Sequence, residues 1–203
     1  MAIPLVWIPV ALMIGAVAYL IGELLCRFPA RTITEVEQFV REVRLDDLMP
    51  HLHPRIDDVL RDSFPRAQLR EAQLRRLHFI REYLQRMSHN SLVLIQLSNT
   101  EMWRESVGLS GMEDSEQFMQ LASDLHNAAV EFRLYALCTL IRIQLWMVFR
   151  ANPWSPLSCP NIPDLKEIFG FKFTESYLQL KEAAGELFLA YGQEFYDCIM
   201  SKI

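Results

Sequence analysis

Asp57, Asp58 and Asp62 stand in a D-D-x-x-x-D pattern. On a helix, such carboxylates can hold magnesium against a diphosphate, the chemistry of a membrane-associated magnesium-dependent enzyme. That chemistry needs a second acidic cluster facing the first, and Asn127 and Glu131, four residues apart, are the only candidates. Paired aspartates at a helix start are also what the helix macrodipole favours. Arg44-Leu-Asp-Asp and Arg55-Ile-Asp-Asp recur eleven residues apart, and both read as solvated helix starts. His51 and His53 point apart on any helix and are flanked by Pro50 and Pro54. His78 and Glu82 are four apart, but the Glu-x-x-His motifs by which helical bundles bind di-iron centres are missing. Gly108-Leu109-Ser110-Gly111 lacks the residue that a nucleophile elbow places between its serine and second glycine. No phosphate loop or dinucleotide fingerprint occurs. The residues therefore assign no catalytic group, no cofactor and no metal.

Arginine offers more. Residues 61–86 hold seven arginines against Asp62, Glu71 and Glu82, whereas residues 87–203 hold fourteen acids against eight bases. Arg66, Arg70, Arg75, Arg81 and Arg86 flank an apolar stripe and read as a solvated face with an orienting role, where they could meet anionic headgroups or an acidic partner. Arg76 instead falls within the Leu69/Ile80/Met87 face, where a charge must reach out to water or be paired. A buried ion pair with a neighbouring helix is the sharper expectation. The net charge of −5 argues against a general nucleic-acid binder. Cys26, Cys138, Cys159 and Cys198 are scattered without a CxxC, as suits a reducing compartment.

These groups must be positioned by a chain that opens on residues 3–25, IPLVWIPVALMIGAVAYLIGELL, uncharged until Glu23. Some twenty apolar residues at about 1.5 Å each match the ~30 Å hydrocarbon core of a bilayer. The run is long for a signal peptide, lacks a basic n-region and has a poor cleavage site. It reads as a retained single transmembrane helix. Arg27 and Arg31 on its C-terminal flank, with no Lys or Arg before it, place the remainder in the cytoplasm of a cell or inner membrane. Ala11, Gly15, Ala18 and Gly22 line one face of it, and small residues allow close helix contact in lipid. That face reads as a packing surface for another membrane protein or a second copy.

The expected division is an anchor at 1–27, short juxtamembrane helices at 28–64 and a bundle at 65–203. Thr34-x-x-Glu37 resembles a capping box opening a helix with Val36, Phe39, Val40 and Val43 on one stripe. This helix is expected to dock onto the bundle rather than lie along the membrane interface. A long helix is expected from Pro65 to about Val107, with a possible break at residues 88–91. A second runs from Asp114 or Ser115 to about Ala151, its stripe formed by Phe118, Leu121, Ala122, Leu125, Ala129, Phe132, Ala136, Leu140, Ile143 and Met147. Beyond Leu134 its other face is apolar too, which predicts the central helix of a bundle, a run of about sixteen residues being short for a membrane span. After four prolines at 153–163 and a short turn at 164–169, one amphipathic helix is expected over 174–202. No strand-like alternation appears. The fold class is all-α: an N-terminal transmembrane helix, then a bundle of two long antiparallel helices and an amphipathic C-terminal one.

The function this implies is a membrane-anchored, non-catalytic interaction or scaffold role. The alternative is an apolar-ligand or lipid-binding protein, with a cavity lined near Phe132, Leu140 and Trp146.

Overall fold

The computed structural model describes residues 33–52, 55–107, 115–151 and 165–203, together with Gly15. Between residues 33 and 203 the described residues form seven helices and no strand: α1 (Ile33–Phe39), α2 (Leu45–Leu52), α3 (Arg55–Ser63), α4 (Arg66–Ser106), α5 (Ser115–Ala151), α6 (Leu165–Tyr191) and α7 (Gln193–Met200). Two of these dominate. α4 has 41 residues and α5 has 37, so each runs for roughly 55–60 Å at the helical rise.

The reason they pair is written in their spacing. On α4 one seam of buried positions, Gln73, Leu77, Ile80, Leu84, Met87, Ser91, Leu94, Ser98, Glu101 and Glu105, alternates four and three residues apart. On α5 Phe118, Ala122, Leu125, Ala129, Phe132 and Ala136 follow the same alternation, continued by Ile143 and Met147. An average step of 3.5 residues keeps both seams facing each other when two helices supercoil left-handedly. Ala122, Ala129 and Ala136, all fully buried, leave room for the larger α4 side chains opposite. α5 is the middle helix: it packs extensively against α4 on one side and α6 on the other. The centre of the α5–α6 contact is Phe132, which lies 5.2 Å between ring centroids from both Phe173 and Tyr177.

α4 is unbroken through residues 88–91. The polar side chains there do not interrupt the helix because each has work elsewhere. Ser91 Oγ donates back to the Ser88 carbonyl at 2.8 Å. Asn90 reaches across to a second chain segment. Residues 40–44 are not helical, so α1 ends at Phe39 and not at Val43 as the apolar stripe implied. Asn90 Oδ1 accepts from the Arg41 N–H at 2.8 Å, and its Nδ2 donates to the Arg41 carbonyl at 2.7 Å. One side-chain amide thus supplies the donor and acceptor of a missing sheet neighbour. The Arg44-Leu-Asp-Asp repeat does mark a helix start, with Asp46 and Asp47 in the first turn of α2. Pro50 is carried inside that helix rather than ending it.

The C-terminal region departs from its periodicity. Instead of one helix over 174–202, α6 begins at Leu165 and ends at Tyr191, and α7 starts two residues later. Gly192 joins them at φ 130° and ψ 158°, a backbone region open to glycine and closed to residues with a Cβ. The chain reverses there and α7 lies back along α6. Gly185 lets it come close: a Cβ at that position would stand 3.3 Å from Tyr196. Ile199 and Ile203 are consequently buried in the main core. Val36, Val40, Val43, Leu48 and Leu52 of the N-terminal part join the same core.

Candidate functional site

Polar constructions join the helices in three places, two holding short elements against long ones and the third linking long helices to one another. The first lies along α4 beneath α2. Tyr83 Oη donates to Asp47 Oδ2 at 3.1 Å, and the Phe79 ring stacks between Tyr83 and His51 at centroid distances of 4.8 and 4.4 Å. The Arg86 guanidinium sits 5.5 Å from the centroid of the Tyr83 ring. Burial, and then the Asp47 carboxylate, hold the Tyr83 hydroxyl above the usual phenol range. It is a docked donor, not a base.

The second construction is a clasp between α1 and α7. Lys202 Nζ meets Glu37 Oε1 at 3.1 Å and the Glu37 carbonyl at 3.0 Å, while the Val43 N–H donates to the Lys202 carbonyl at 2.8 Å. Glu37, expected to reach back toward Thr34, turns to the C-terminal segment instead. The Cys198 thiol donates to Glu37, which lowers the carboxyl pKa and raises that of the thiol. A thiol raised this way is a poorer nucleophile at neutral pH. On the inner side of the clasp, Tyr177 Oη donates to the Ile203 carbonyl.

The third lies where the end of α4, the start of α5 and the end of α6 converge. Ser98 Oγ is 3.4 Å from His126 Nδ1, a pairing that invites comparison with a hydrolytic dyad. Its geometry is against that role. Ser98 is fully buried, and its hydroxyl already donates to the Ile95 carbonyl at 2.9 Å, so the imidazole is not its proton acceptor. Three residues on, buried Glu101 faces Arg104 at 3.4 Å and the Tyr191 hydroxyl. Burial first, and Glu101 second, push the Tyr191 phenol up. The Tyr191 ring in turn meets Phe118 edge to face at 5.2 Å. The cluster joins three helices, with Ser98, Glu101 and Glu105 buried and His126 and Arg104 partly open to solvent.

The residues singled out from the sequence are distributed as follows. Arg76 is buried, and its Nε donates to the His51 carbonyl at 2.6 Å, so the end of α2 receives part of its charge. Arg75 and Arg86 pair with Glu71 and Glu82 one turn before them. Such exposed pairs contribute only about 0.3–0.5 kcal/mol each. At 100° per residue, Arg75 and Arg86 fall about 20° apart on one edge of α4, and Arg70 and Arg81 about 20° apart on another. Roughly 140° separates the two edges, so these arginines do not make one basic patch. Arg81 is half-buried, and the side chains of Arg66 and Arg70 lie outside the described residues. Of the small-residue face, Gly15 is helical and exposed, with nothing within 4 Å of a Cβ placed on it. Ala11, Ala18 and Gly22 lie outside the described residues, as does the rest of the apolar run. Among the described residues no helix is long and apolar enough to cross a membrane, α5 included.

Among the described residues the enzymatic candidates do not converge. Among the described residues no three His, Cys, Asp or Glu side chains are grouped to hold a metal ion. Asp62 is exposed, the side chains of Asp57 and Asp58 and all of His53 and 108–111 lie outside the described residues, and His78 is exposed. Asn127 and Glu131 are exposed on α5, where Glu131 Oε1 accepts from Ser176 Oγ at 3.5 Å. Where the alternative, lipid-binding reading places a cavity, Phe132 is fully buried against Phe173 and Tyr177, Leu140 is buried, and Trp146 is half-buried. Comparison with protein-family models, with curated proteins and with solved structures returns no match.

Proposed function

We propose that the chain is a single-pass membrane-anchored protein whose helical body serves as a non-catalytic interaction scaffold. The body would stand on the cytoplasmic side of a cell or inner membrane. The observation that carries this reading is the uncharged run at residues 3–22, long enough to span a bilayer and joined to a bundle through α1. Two contacts in the bundle support it: the Ser98 hydroxyl donates to the Ile95 carbonyl and not to His126, and the hydrogen bond to Glu37 raises the Cys198 thiol pKa. What such a body offers a partner is surface. The small-residue face of Ala11, Gly15, Ala18 and Gly22 is the proposed contact inside the membrane, with another membrane protein or a second copy as its occupant.

Three measurements test it. Alkaline washing of membranes should leave the full-length chain in the pellet, and release into the supernatant would refute the anchor. Protease added to sealed right-side-out vesicles should spare the bundle, and digestion from outside would reverse the orientation. Affinity purification from mild detergent should retain partners that are lost when Gly15 and Gly22 are replaced by leucine. Retention of every partner in that variant would remove the intramembrane contact from the proposal.

A further inference from the structure

The outward face of α5 is apolar along its second half, and its edge carries charges placed for self-recognition. Val130 and Leu134 are 37 and 60 % exposed, Cys138 is exposed, and Ile141 and Leu145 are half-buried. These five residues fall within about 80° of arc at 100° per residue, on the side of α5 turned away from both α4 and α6. A contiguous apolar stripe of this kind on a folded surface marks an interaction site. Its flank does not suit a bilayer. The described exposed charges on this side are Glu131 and Arg142 on α5, with Lys172, Glu175 and Glu182 on α6, a set of mixed sign. Interfacial helices are instead rimmed with lysine and arginine.

We infer that this face binds a second copy of the same chain, with the two α5 helices antiparallel about a two-fold axis level with residues 136–137. The argument is one of register. Glu131 and Arg142 are eleven residues apart, so they lie within about 20° of each other on one edge of the stripe. A two-fold axis perpendicular to the plane of the helix pair preserves that edge and inverts the height along it. Placed midway between them, it sets each Glu131 beside Arg142 of the second copy, twice per dimer. The same axis carries Leu134 to the level of residue 139, between Cys138 and Ile141 of the second copy. It carries Val130 to the level of residue 143, between Ile141 and Leu145. Both side chains enter gaps instead of meeting side chains head-on, the packing by which helices interlock. Apolar register and charge register coincide on one axis, which is the self-complementarity a two-fold interface requires. This contact is distinct from the proposed one inside the membrane and does not depend on it.

Cys138 supplies a readout confined to this interface. In the antiparallel pair the two Cys138 residues are offset by about 4.5 Å along the axis, within reach of a short bismaleimide. The full-length protein in mild detergent should yield a Cys138–Cys138 crosslinked peptide, identified by mass spectrometry. Association through the N-terminal helix does not produce that peptide. Leu134→Glu should reduce its yield at least fivefold, as should Glu131→Arg alone and Arg142→Glu alone, each of which sets like charges together. All three positions are exposed, and circular dichroism should show the fold intact. The double variant Glu131→Arg/Arg142→Glu, which restores opposite charges, should recover most of the yield. Absence of the peptide from the wild-type chain, indifference to Leu134→Glu, or a double variant no better than either single one would each overturn the inference.

Discussion

Replacing Gly192 by alanine tests the reversal that gives the C-terminal region its shape. The backbone at this residue is at φ 130° and ψ 158°, and a Cβ placed there would meet nothing within 4 Å. The cost of alanine is therefore backbone strain alone, about 1–3 kcal/mol for a residue held in this glycine region. Alanine also favours the alternative in which α6 runs straight on, by about 1 kcal/mol relative to glycine inside a helix. The balance between hairpin and continuous helix should shift by about 2–4 kcal/mol, the sum of these two effects. Opposing that shift is the burial of Ile199 and Ile203, at about 1.5–3 kcal/mol each. The hairpin should therefore remain the main form, with the whole protein losing about 1–3 kcal/mol in thermal or urea denaturation. Transient release of α7 also has a chemical signature. Cys198 would leave Glu37, whose hydrogen bond raises the thiol pKa, and its reaction with a small maleimide should quicken severalfold. Peptide mapping separates Cys198 from the other cysteines, and Cys138 serves as the internal control. Wild-type stability together with unchanged Cys198 reactivity in Gly192→Ala would refute the reasoning.

Two further outcomes follow from the same contacts. Asn90→Ala removes both hydrogen bonds to the Arg41 backbone and strands a donor and an acceptor, for an expected loss of about 2–4 kcal/mol. Asn90→Asp keeps the acceptor but sets a carboxylate against the Arg41 carbonyl, so denaturation midpoints should show it no more stable than Asn90→Ala. Burial holds the Tyr177 phenol well above its ordinary value, so the folded state favours the neutral form. Stability from this group is whole below pH 10, where the unfolded chain's tyrosine is also neutral, and falls as the pH rises beyond it. The fall approaches about 1.4 kcal/mol per pH unit. Tyr177→Phe should lose about 1 kcal/mol at neutral pH through the missing bond to the Ile203 carbonyl, and should show a shallower decline between pH 10 and 11. An identical alkaline slope in both proteins would contradict the assignment.

The long helices were legible in the sequence almost to the residue. α5 begins and ends where its caps and stripe place it, and nine of the ten stripe positions named from the sequence are buried, Leu121 being half-buried. The docking of the 33–43 segment was legible too, through Val36, Val40 and Val43, although its helix stops at Phe39. The candidate sites were harder to read. Arg76 stood out because a charge on an apolar face needs a partner, yet its carbonyl acceptor lies 25 residues away. Ser98 and His126 gave no signal at all, since a serine in a heptad seam and a histidine beside one look unremarkable until two helices are aligned. The arginines read from the sequence as flanking the apolar stripe fall, by the helical repeat, on two edges of α4.

Helix type, seam and the central place of α5 follow from side-chain periodicity, because burial of a 3.5-residue stripe is favourable whichever neighbour covers it. Periodicity is silent about which neighbour that is. The apolar phase of α6 passes through Gly192 into α7 without a flaw, and a straight helix and a hairpin satisfy it equally well along the chain. What separates them is a glycine backbone free to reverse, the space left by Gly185 for Tyr196, and the pairing of Lys202 with Glu37 across 165 residues. Those contacts join parts of the chain that local physics cannot bring together, so only the assembled fold decides them.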